Sequence, residues 1–250
     1  MVSETDLYAR GVATLIATWE EIARGSAGAS VQRLAGVDAA VFPAAPERDV
    51  YNNAVLERGL PRNERAAAVE AMEAAYLGRG VTRFAGWVHD GDEAMQRDLK
   101  RRGYRFAEAT RAMGMALDDI RLPRREIDLA PSEWSEYLWV LQLPAGLLAH
   151  VDPERFHVLI GRLDGQSVTA GMAYDHDEDC GIYNVTTLAH ARRRGLGTAL
   201  TALLAHDARD RGCRTATLQS TKIAEQVYAS VGFRDLGRFL EYTPARARAA

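Results

Sequence analysis

The chain of 250 residues contains little lysine and no long apolar run. Of its 31 lysine and arginine residues, only Lys100 and Lys222 are lysine. The net charge of −3 and the pI near 6.1 argue against binding of bulk nucleic acid or of an anionic membrane surface. No apolar run approaches the roughly 20 residues of a membrane span. The sequence therefore predicts neither a nucleic-acid partner nor a membrane partner.

We also expect neither a signal peptide nor a disulfide framework. The first residues lack the basic and apolar regions that a signal peptide needs, so we expect a cytoplasmic protein. The two cysteines, Cys180 and Cys213, fall in apolar strand-like runs, and a chain of this length needs no disulfide. We therefore predict two buried free thiols. The length suits two domains of roughly 100–150 residues.

One stretch joins a predicted strand, a basic glycine turn and the start of a helix. Residues 183–188 are apolar and β-branched, which predicts a strand. The turn Arg192-Arg-Arg-Gly-Leu-Gly197 follows, and Thr198 begins an amphipathic helix. The free N–H groups and the positive end of the helix dipole would then point at one spot beside the arginines. This arrangement predicts a phosphate or pyrophosphate site.

A second motif follows after another predicted strand at residues 214–219. Residues 224–233 predict a short helix that ends at Gly232, with Tyr228 four residues before that glycine. The combination of R-x-x-G-x-G, a strand and A-x-x-x-Y-x-x-x-G-F resembles the GNAT superfamily of CoA-dependent N-acyltransferases. For residues 123–243 the resemblance implies an α+β fold with a mixed sheet, in the order β-α-β-β-β-α-β-α-β.

The resemblance also implies a binding site for acetyl-CoA as the co-substrate. The glycine turn would hold its pyrophosphate, and the backbone of residues 185–188 would pair with its pantetheine arm, because a bulge splays the central strand from the next one. Family members often carry glycine at Arg193 and asparagine at Thr221, so these two positions depart from the pattern. The implied binding residues are Val185, Thr187, Leu188, Arg192, Arg193, Arg194, Gly195, Leu196, Gly197, Thr198 and Thr221.

Tyr228 is the candidate general acid. A phenol with an ordinary pKa near 10 is protonated at pH 7 and can give its proton to the departing thiolate. The alternative is an ordinary core tyrosine on the apolar face of its helix. The general base stays open among His150, Glu133, Glu136 and a water chain, and each of these three residues also fits an ordinary surface position.

The acidic run Asp175-His-Asp-Glu-Asp179 is the one stretch that suggests a metal. It shows neither zinc nor EF-hand spacing, and it lies between two predicted strands. A solvated hairpin turn is therefore the better interpretation, and we predict no metal site.

The first half of the chain mirrors the second. An offset of 132 positions places Tyr51-Asn52 on Tyr183-Asn184 and Arg79-Gly80 on Arg211-Gly212. The matches follow one shared order of strands and helices, which predicts two tandem GNAT-like domains; two unrelated α+β domains are the alternative. We place these domains at residues 1–120 and 121–245, with a tail at 246–250.

The repeat fails at the candidate site. Pro61, Asn63 and Arg65 stand in the first copy where the anion loop would lie, and Leu99 stands at the position of Tyr228. We therefore expect the first copy to be degenerate and to lack the CoA loop.

The leading hypothesis is an acetyl-CoA-dependent N-acetyltransferase. In this hypothesis the primary amine of a small molecule attacks directly and takes the acyl group, with Tyr228 as the general acid. One alternative is a protein N-acetyltransferase, and another is a non-catalytic module that binds acyl-CoA. The sequence predicts no particular acceptor and no oligomeric state.

Overall fold

The computed structural model describes residues 2–44, 51–144 and 146–245. The helices are α1 (Glu4–Arg24), α2 (Arg62–Leu77), α3 (Glu93–Arg101), α4 (Trp134–Leu141), α5 (Leu196–Asp210) and α6 (Glu225–Val231). The strands are β1 (Ser30–Leu34), β2 (Val37–Val41), β3 (Asn53–Leu56), β4 (Ala85–His89), β5 (Tyr104–Ala116), β6 (His157–Leu163), β7 (Gln166–His176), β8 (Asp179–Thr187), β9 (Thr215–Ser220) and β10 (Arg234–Pro244). No helix in these residues is long and apolar enough to cross a membrane.

Two elements differ from the sequence expectation. The helical region expected over residues 131–149 is shorter, because α4 ends at Gln142 in the left-handed conformation with φ 58° and Pro144 follows. The central strand β8 begins at Asp179 and not at residue 183. Its first residues are buried, so the acidic run that precedes residue 183 supplies part of the strand as well as a turn.

The chain divides into two compact units. The loop unit, which contains the basic glycine turn, comprises Met1–Thr18 and Arg111–Leu236; the companion unit comprises Trp19–Thr110 and Gly237–Ala250. This division does not coincide with the expected boundary between residues 120 and 121. The reason is that α1, β5 and β10 each contribute residues to both units. The expected tail at 246–250 lies outside the described residues.

The loop unit has a mixed sheet in the order β5-β9-β8-β7-β6. Strands β6, β7 and β8 are antiparallel neighbours, β8 and β9 are parallel, and β5 is antiparallel to β9. Helices α5 and α6 bury one face of this sheet together with side chains such as Cys180, Ile182 and Leu218. Cys180 and Cys213 are both buried free thiols, as predicted.

The companion unit repeats this order of pairings. Its sheet runs β1-β2-β3-β4-β10, with two antiparallel pairs, the parallel pair β3 and β4, and β10 antiparallel to β4. Tyr76 and Phe84 stack in its core with ring centroids 4.3 Å apart. The shared order confirms the prediction of two similar mixed-sheet units. One pairing in each unit differs from a linear duplication. Strand β4 pairs with β10 and strand β9 pairs with β5, although the order in the sequence would assign β10 to the second copy and β5 to the first.

Candidate active site

Strands β8 and β9 are paired only where they begin. Their parallel ladder runs from Asp179↔Thr215 to Gly181↔Thr217, whereas β8 continues to Thr187. Beyond Gly181 the backbone edge of β8 has no ladder partner in β9 within the described chain. A gap therefore opens between two strands that are neighbours in the sheet.

A bulge in β8 marks the start of this gap. The register between β7 and β8 shifts between Ala170 and Met172, and Asn184 has φ 56° there. An extra residue in one strand bends that strand and increases its local twist. The bulge therefore turns β8 away from β9, as the resemblance implied for the strand that would pair with pantetheine.

A buried carboxylate fastens the closed end of the gap. Asp179 is 1% exposed, and it accepts hydrogen bonds from the hydroxyls of Thr14 (2.8 Å), Thr215 (2.7 Å) and Thr217 (2.7 Å). Burial raises the pKa of Asp179, and the three hydroxyl donors oppose that rise. This residue corrects the expectation of a wholly solvated turn, because it ties β8 to β9 and to α1.

The glycine turn ends in a helix start with free donors. Gly195 is the N-cap of α5 with φ 78°, and Arg193 also has a positive φ of 64°. The first backbone bond of the helix runs from the N–H of Ala199 to the carbonyl of Gly195. Within the described chain, the N–H groups of residues 193–198 donate to no backbone acceptor, as expected for a helix N-terminus.

Three exposed arginines flank these donors. Arg192 donates from Nε to the carbonyl of Thr187 at 2.9 Å, which fixes its stem beside the end of β8. Arg193 and Arg194 form no ion pair with any carboxylate of the described residues. The turn therefore combines uncompensated positive charge with free N–H groups, an arrangement that suits an anion.

The start of α5 lies over the end of β8. A Cβ built on Gly197 would stand 3.6 Å from Oγ1 of Thr187 and 4.0 Å from Cγ1 of Val185. The phosphate-type cradle and the free edge of β8 are thus adjacent. The structure thus places Val185, Thr187, Leu188 and residues 192–198 close together.

Tyr228 lies in α6 on the core side of the loop unit. It is 7% exposed, and its ring meets Phe233 edge-on with centroids 6.2 Å apart. Burial raises the pKa of Tyr228 to about 12. Gly232 ends the helix with φ 132°, and a Cβ there would stand 2.7 Å from the carbonyl oxygen of Asp119, so only glycine fits.

The other sequence candidates are less defined. Thr221 follows β9 directly and is exposed, so it stands at the far side of the gap from the bulge. Glu133 and His150 are exposed and Glu136 is half-buried. No group of His, Cys, Asp and Glu in the described residues could hold a metal ion. Asp175 instead accepts a two-pronged hydrogen bond from Arg211 at 2.6 and 2.9 Å.

A cavity of about 370 Å³ opens beside the end of β8. It lies between the last turn of α4 and the segment that precedes the arginines. No carboxylate from the described residues lines it. Its lining residues are Trp139, Gln142, Leu143, Leu188, Ala189 and His190.

Sequence reasoning missed three residues near the gap. Asn184 and Tyr137 gave no motif signal, and Asp179 stood in a run that was interpreted as a solvated turn, because their surroundings depend on residues far away in the chain. The pairing of Tyr183-Asn184 with Tyr51-Asn52 in the repeat was the one available pointer to Asn184.

Comparisons with known proteins agree with this geometry. Residues 116–233 match the model of the acetyltransferase (GNAT) family. No curated protein matches the sequence.

Three solved structures are similar in fold over at least 94% of this chain. A GCN5-related N-acetyltransferase from Kribbella flavida is similar with a TM-score of 0.72 at 16% identity, over 96% of each chain. A GCN5-related N-acetyltransferase from Sphaerobacter thermophilus has a TM-score of 0.61 at 15% identity, over 94% of this chain and 90% of its own. A tandem GNAT protein from the clavulanic acid biosynthesis pathway has a TM-score of 0.58 at 13% identity, over 100% of this chain and 98% of its own. Residues 116–233 thus match the GNAT acetyltransferase family, and the chain is similar in fold to GNAT proteins that include a tandem one.

Proposed function

We propose that the protein transfers an acetyl group from acetyl-CoA to the primary amine of a small molecule. The observation that carries this proposal is the adjacency of a free-donor anion cradle and an unpaired strand edge, in the unit that also holds the buried Tyr228. A cytoplasmic location is part of the proposal and rests on the sequence.

The donor would be held along the gap. The N–H groups of residues 193–198 and the arginines Arg192 to Arg194 bind the pyrophosphate, for which backbone donors and guanidinium groups are both suited. Gly195 allows the φ of 78° at the start of the cradle, and no protein atom lies within 4 Å of a Cβ built there, so the space beside it is open. The backbone of residues 185–188 pairs with the amide groups of the pantetheine arm, as a neighbouring strand would. Thr221 contacts the arm from the opposite side.

Tyr228 would act as the general acid. The amine nitrogen attacks the thioester carbonyl carbon, the C–S bond breaks, and the departing thiolate takes the phenolic proton of Tyr228. The attacking nitrogen loses a proton to solvent, and solvent restores the proton of the tyrosine. The products are an amide and free CoA. A pKa of about 12 keeps the phenol fully protonated at neutral pH, as a proton donor requires.

The companion unit would bind no CoA. Helix α2 starts after Pro61, which has no N–H. The side chain of Arg65 is committed to Asp98 at 2.6 Å and to the carbonyl of Leu60 at 2.8 Å, so its charge is compensated. Strand β3 ends at Leu56 after pairing with β4 at residues 53–55, so it offers no long free edge. We therefore assign one donor site to each chain.

A thiol-release assay tests the proposal. Acetyl-CoA is presented with 2-phenylethylamine, glucosamine, spermidine, free amino acids and short peptides with unblocked N-termini. Release with a small amine supports the proposal. Release with peptides alone indicates a protein N-acetyltransferase. Calorimetric CoA binding without release from any acceptor indicates a non-catalytic module, and absence of CoA binding refutes the donor site.

A further inference from the structure

Asn184 occupies a special position in the gap. It is exposed, and it is the residue of β8 at which the register shifts and the backbone takes φ 56°. Asparagine is one of the few residues other than glycine that adopts this region at low cost. A backbone role alone could therefore explain an asparagine here, and a substrate role needs a second observation.

Tyr137 supplies that observation. This residue of α4 is 0% exposed, and its hydroxyl makes no hydrogen bond of acceptable geometry within the described chain. Burial raises the pKa of Tyr137, and the neighbouring side-chain amide of Asn184 partly offsets that rise. The hydroxyl thus lies directly behind an exposed amide at the opening of the gap.

Tyr76 shows that an unpaired hydroxyl is not itself a site. It is also 0% exposed and also unpaired within the described residues, but it lies in the core of the companion unit. What distinguishes Tyr137 is its neighbour, which belongs to the free part of β8. Tyr76 is therefore the matched control for Tyr137.

The repeat provides an internal comparison for Asn184. Asn52, its counterpart in the first copy, is 0% exposed, and its Oδ1 accepts the N–H of Phe42 at 2.7 Å. The companion unit thus uses the amide to hold its own backbone. In the loop unit the same residue type is exposed at the gap.

We propose that the side-chain amide of Asn184 contacts the attacking amine and that the hydroxyl of Tyr137 positions this amide. The inference rests on the acetyltransferase function proposed above. With the amine bound, Oδ1 accepts a hydrogen bond from an N–H of the amine, and the amide NH₂ donates to the hydroxyl oxygen of Tyr137, which then gains the partner that it lacks in this structure. A neutral amide suits this task, because a carboxylate would stabilise the protonated, non-nucleophilic ammonium form.

A double-mutant cycle with acetyl-CoA and the panel amine of fastest thiol release tests the inference. Asn184→Gly keeps the positive φ and removes the amide, so the KM for the amine should rise about tenfold while the Kd for acetyl-CoA stays unchanged. Tyr137→Phe should raise the KM severalfold alone and have no further effect in the Asn184→Gly background. Tyr76→Phe should leave the kinetics unchanged.

Each other outcome overturns the inference. An unchanged KM in Asn184→Gly means that the residue serves the backbone only. A weaker Kd for acetyl-CoA with an unchanged amine KM places the amide on the donor. Additive effects in the double variant refute positioning by Tyr137. Absence of thiol release by the wild-type protein with every acceptor refutes the proposed function itself, which is a distinct result.

Discussion

Replacement of Gly195 by valine can distinguish an effect on CoA binding from an effect on folding, because Gly59 provides a matched control. Gly195 has φ 78° and Gly59 has φ 80°, and a Cβ built on either residue meets no atom within 4 Å. Gly195→Val and Gly59→Val therefore impose the same kind of backbone strain, about 1–2 kcal/mol. At about 2–4 °C per kcal/mol for a chain of this size, both variants should lose a few degrees in Tm.

Only the variant at Gly195 should lose CoA. The new side chain would project from the cradle of N–H groups toward the space where phosphate oxygens would lie. Loss of two charge-assisted hydrogen bonds at about 1.5–3 kcal/mol each weakens binding by about 10²-fold to 10⁴-fold. Gly59→Val leaves the cradle untouched, and its own N–H still reaches Asp92, which it contacts at 2.9 Å.

Titration calorimetry with CoA and thermal unfolding of the same samples make the comparison. We expect similar Tm values for both variants and measurable CoA binding for Gly59→Val alone. Equal CoA affinity in the two variants would show that the glycine turn is not the phosphate cradle. A much lower Tm for Gly195→Val would mean that folding, and not steric exclusion, accounts for lost binding.

Four further predictions follow from named contacts. Tyr228→Phe should lower turnover about 10²-fold and leave the CoA affinity unchanged, whereas unaltered turnover would make Tyr228 structural. In the wild-type protein, loss of the Tyr228 proton should not lower turnover until the pH approaches the pKa of about 12. Calorimetry should give one CoA per chain, and a stoichiometry near two would make the companion unit a working site. Fragments 1–120 and 121–250 should each fail to fold alone, because β5 pairs with β9 and β10 pairs with β4. Co-expression of the two fragments should give a soluble complex, and a soluble, folded 121–250 fragment would contradict this prediction. Burial alone would raise the pKa of Asp175, but hydrogen bonds from Arg211 and His157 hold that pKa below its ordinary value. The stability that Asp175 contributes is therefore present above about pH 4 and is lost as the pH falls further. Urea unfolding of wild type and Asp175→Asn should therefore differ at neutral pH and converge in acid, and a constant difference would refute the assignment.

The glycine turn could be predicted from the sequence because its structure is local. A glycine with positive φ before an apolar helical pattern sets a helix start, and the free donors follow from helix geometry. Gly195 occupies that N-cap position in the structure. The left-handed conformation of Arg193 had no such signal, since arginine rarely adopts it, and the turn imposes it.

The pairing of strands could not be predicted in the same way. A reading by sequence order assigns β5 to the first copy and β10 to the second, whereas the registers join β5 to β9 and β10 to β4. Such pairings depend on which edge is free in the folded chain, and the local pattern is the same for either choice. The burial of Asp179 was hidden for a related reason, because all three of its partners, Thr14, Thr215 and Thr217, are distant in sequence.

The difference between the two copies lies in the backbone as much as in the side chains. Strand β8 has nine residues, of which three pair with β9, and a bulge directs the remainder away; β3 has four residues, and three of them pair with β4. Restoring glycine at Asn63 and Arg65 would therefore rebuild part of a phosphate cradle but no edge for a pantetheine arm. A copy whose strand is too short to pair with pantetheine would bind CoA weakly even with an intact phosphate cradle. Together with the short β3, Pro61 and the ion pair of Arg65 with Asp98 show that the companion unit has neither the free edge nor the free donors of a cradle.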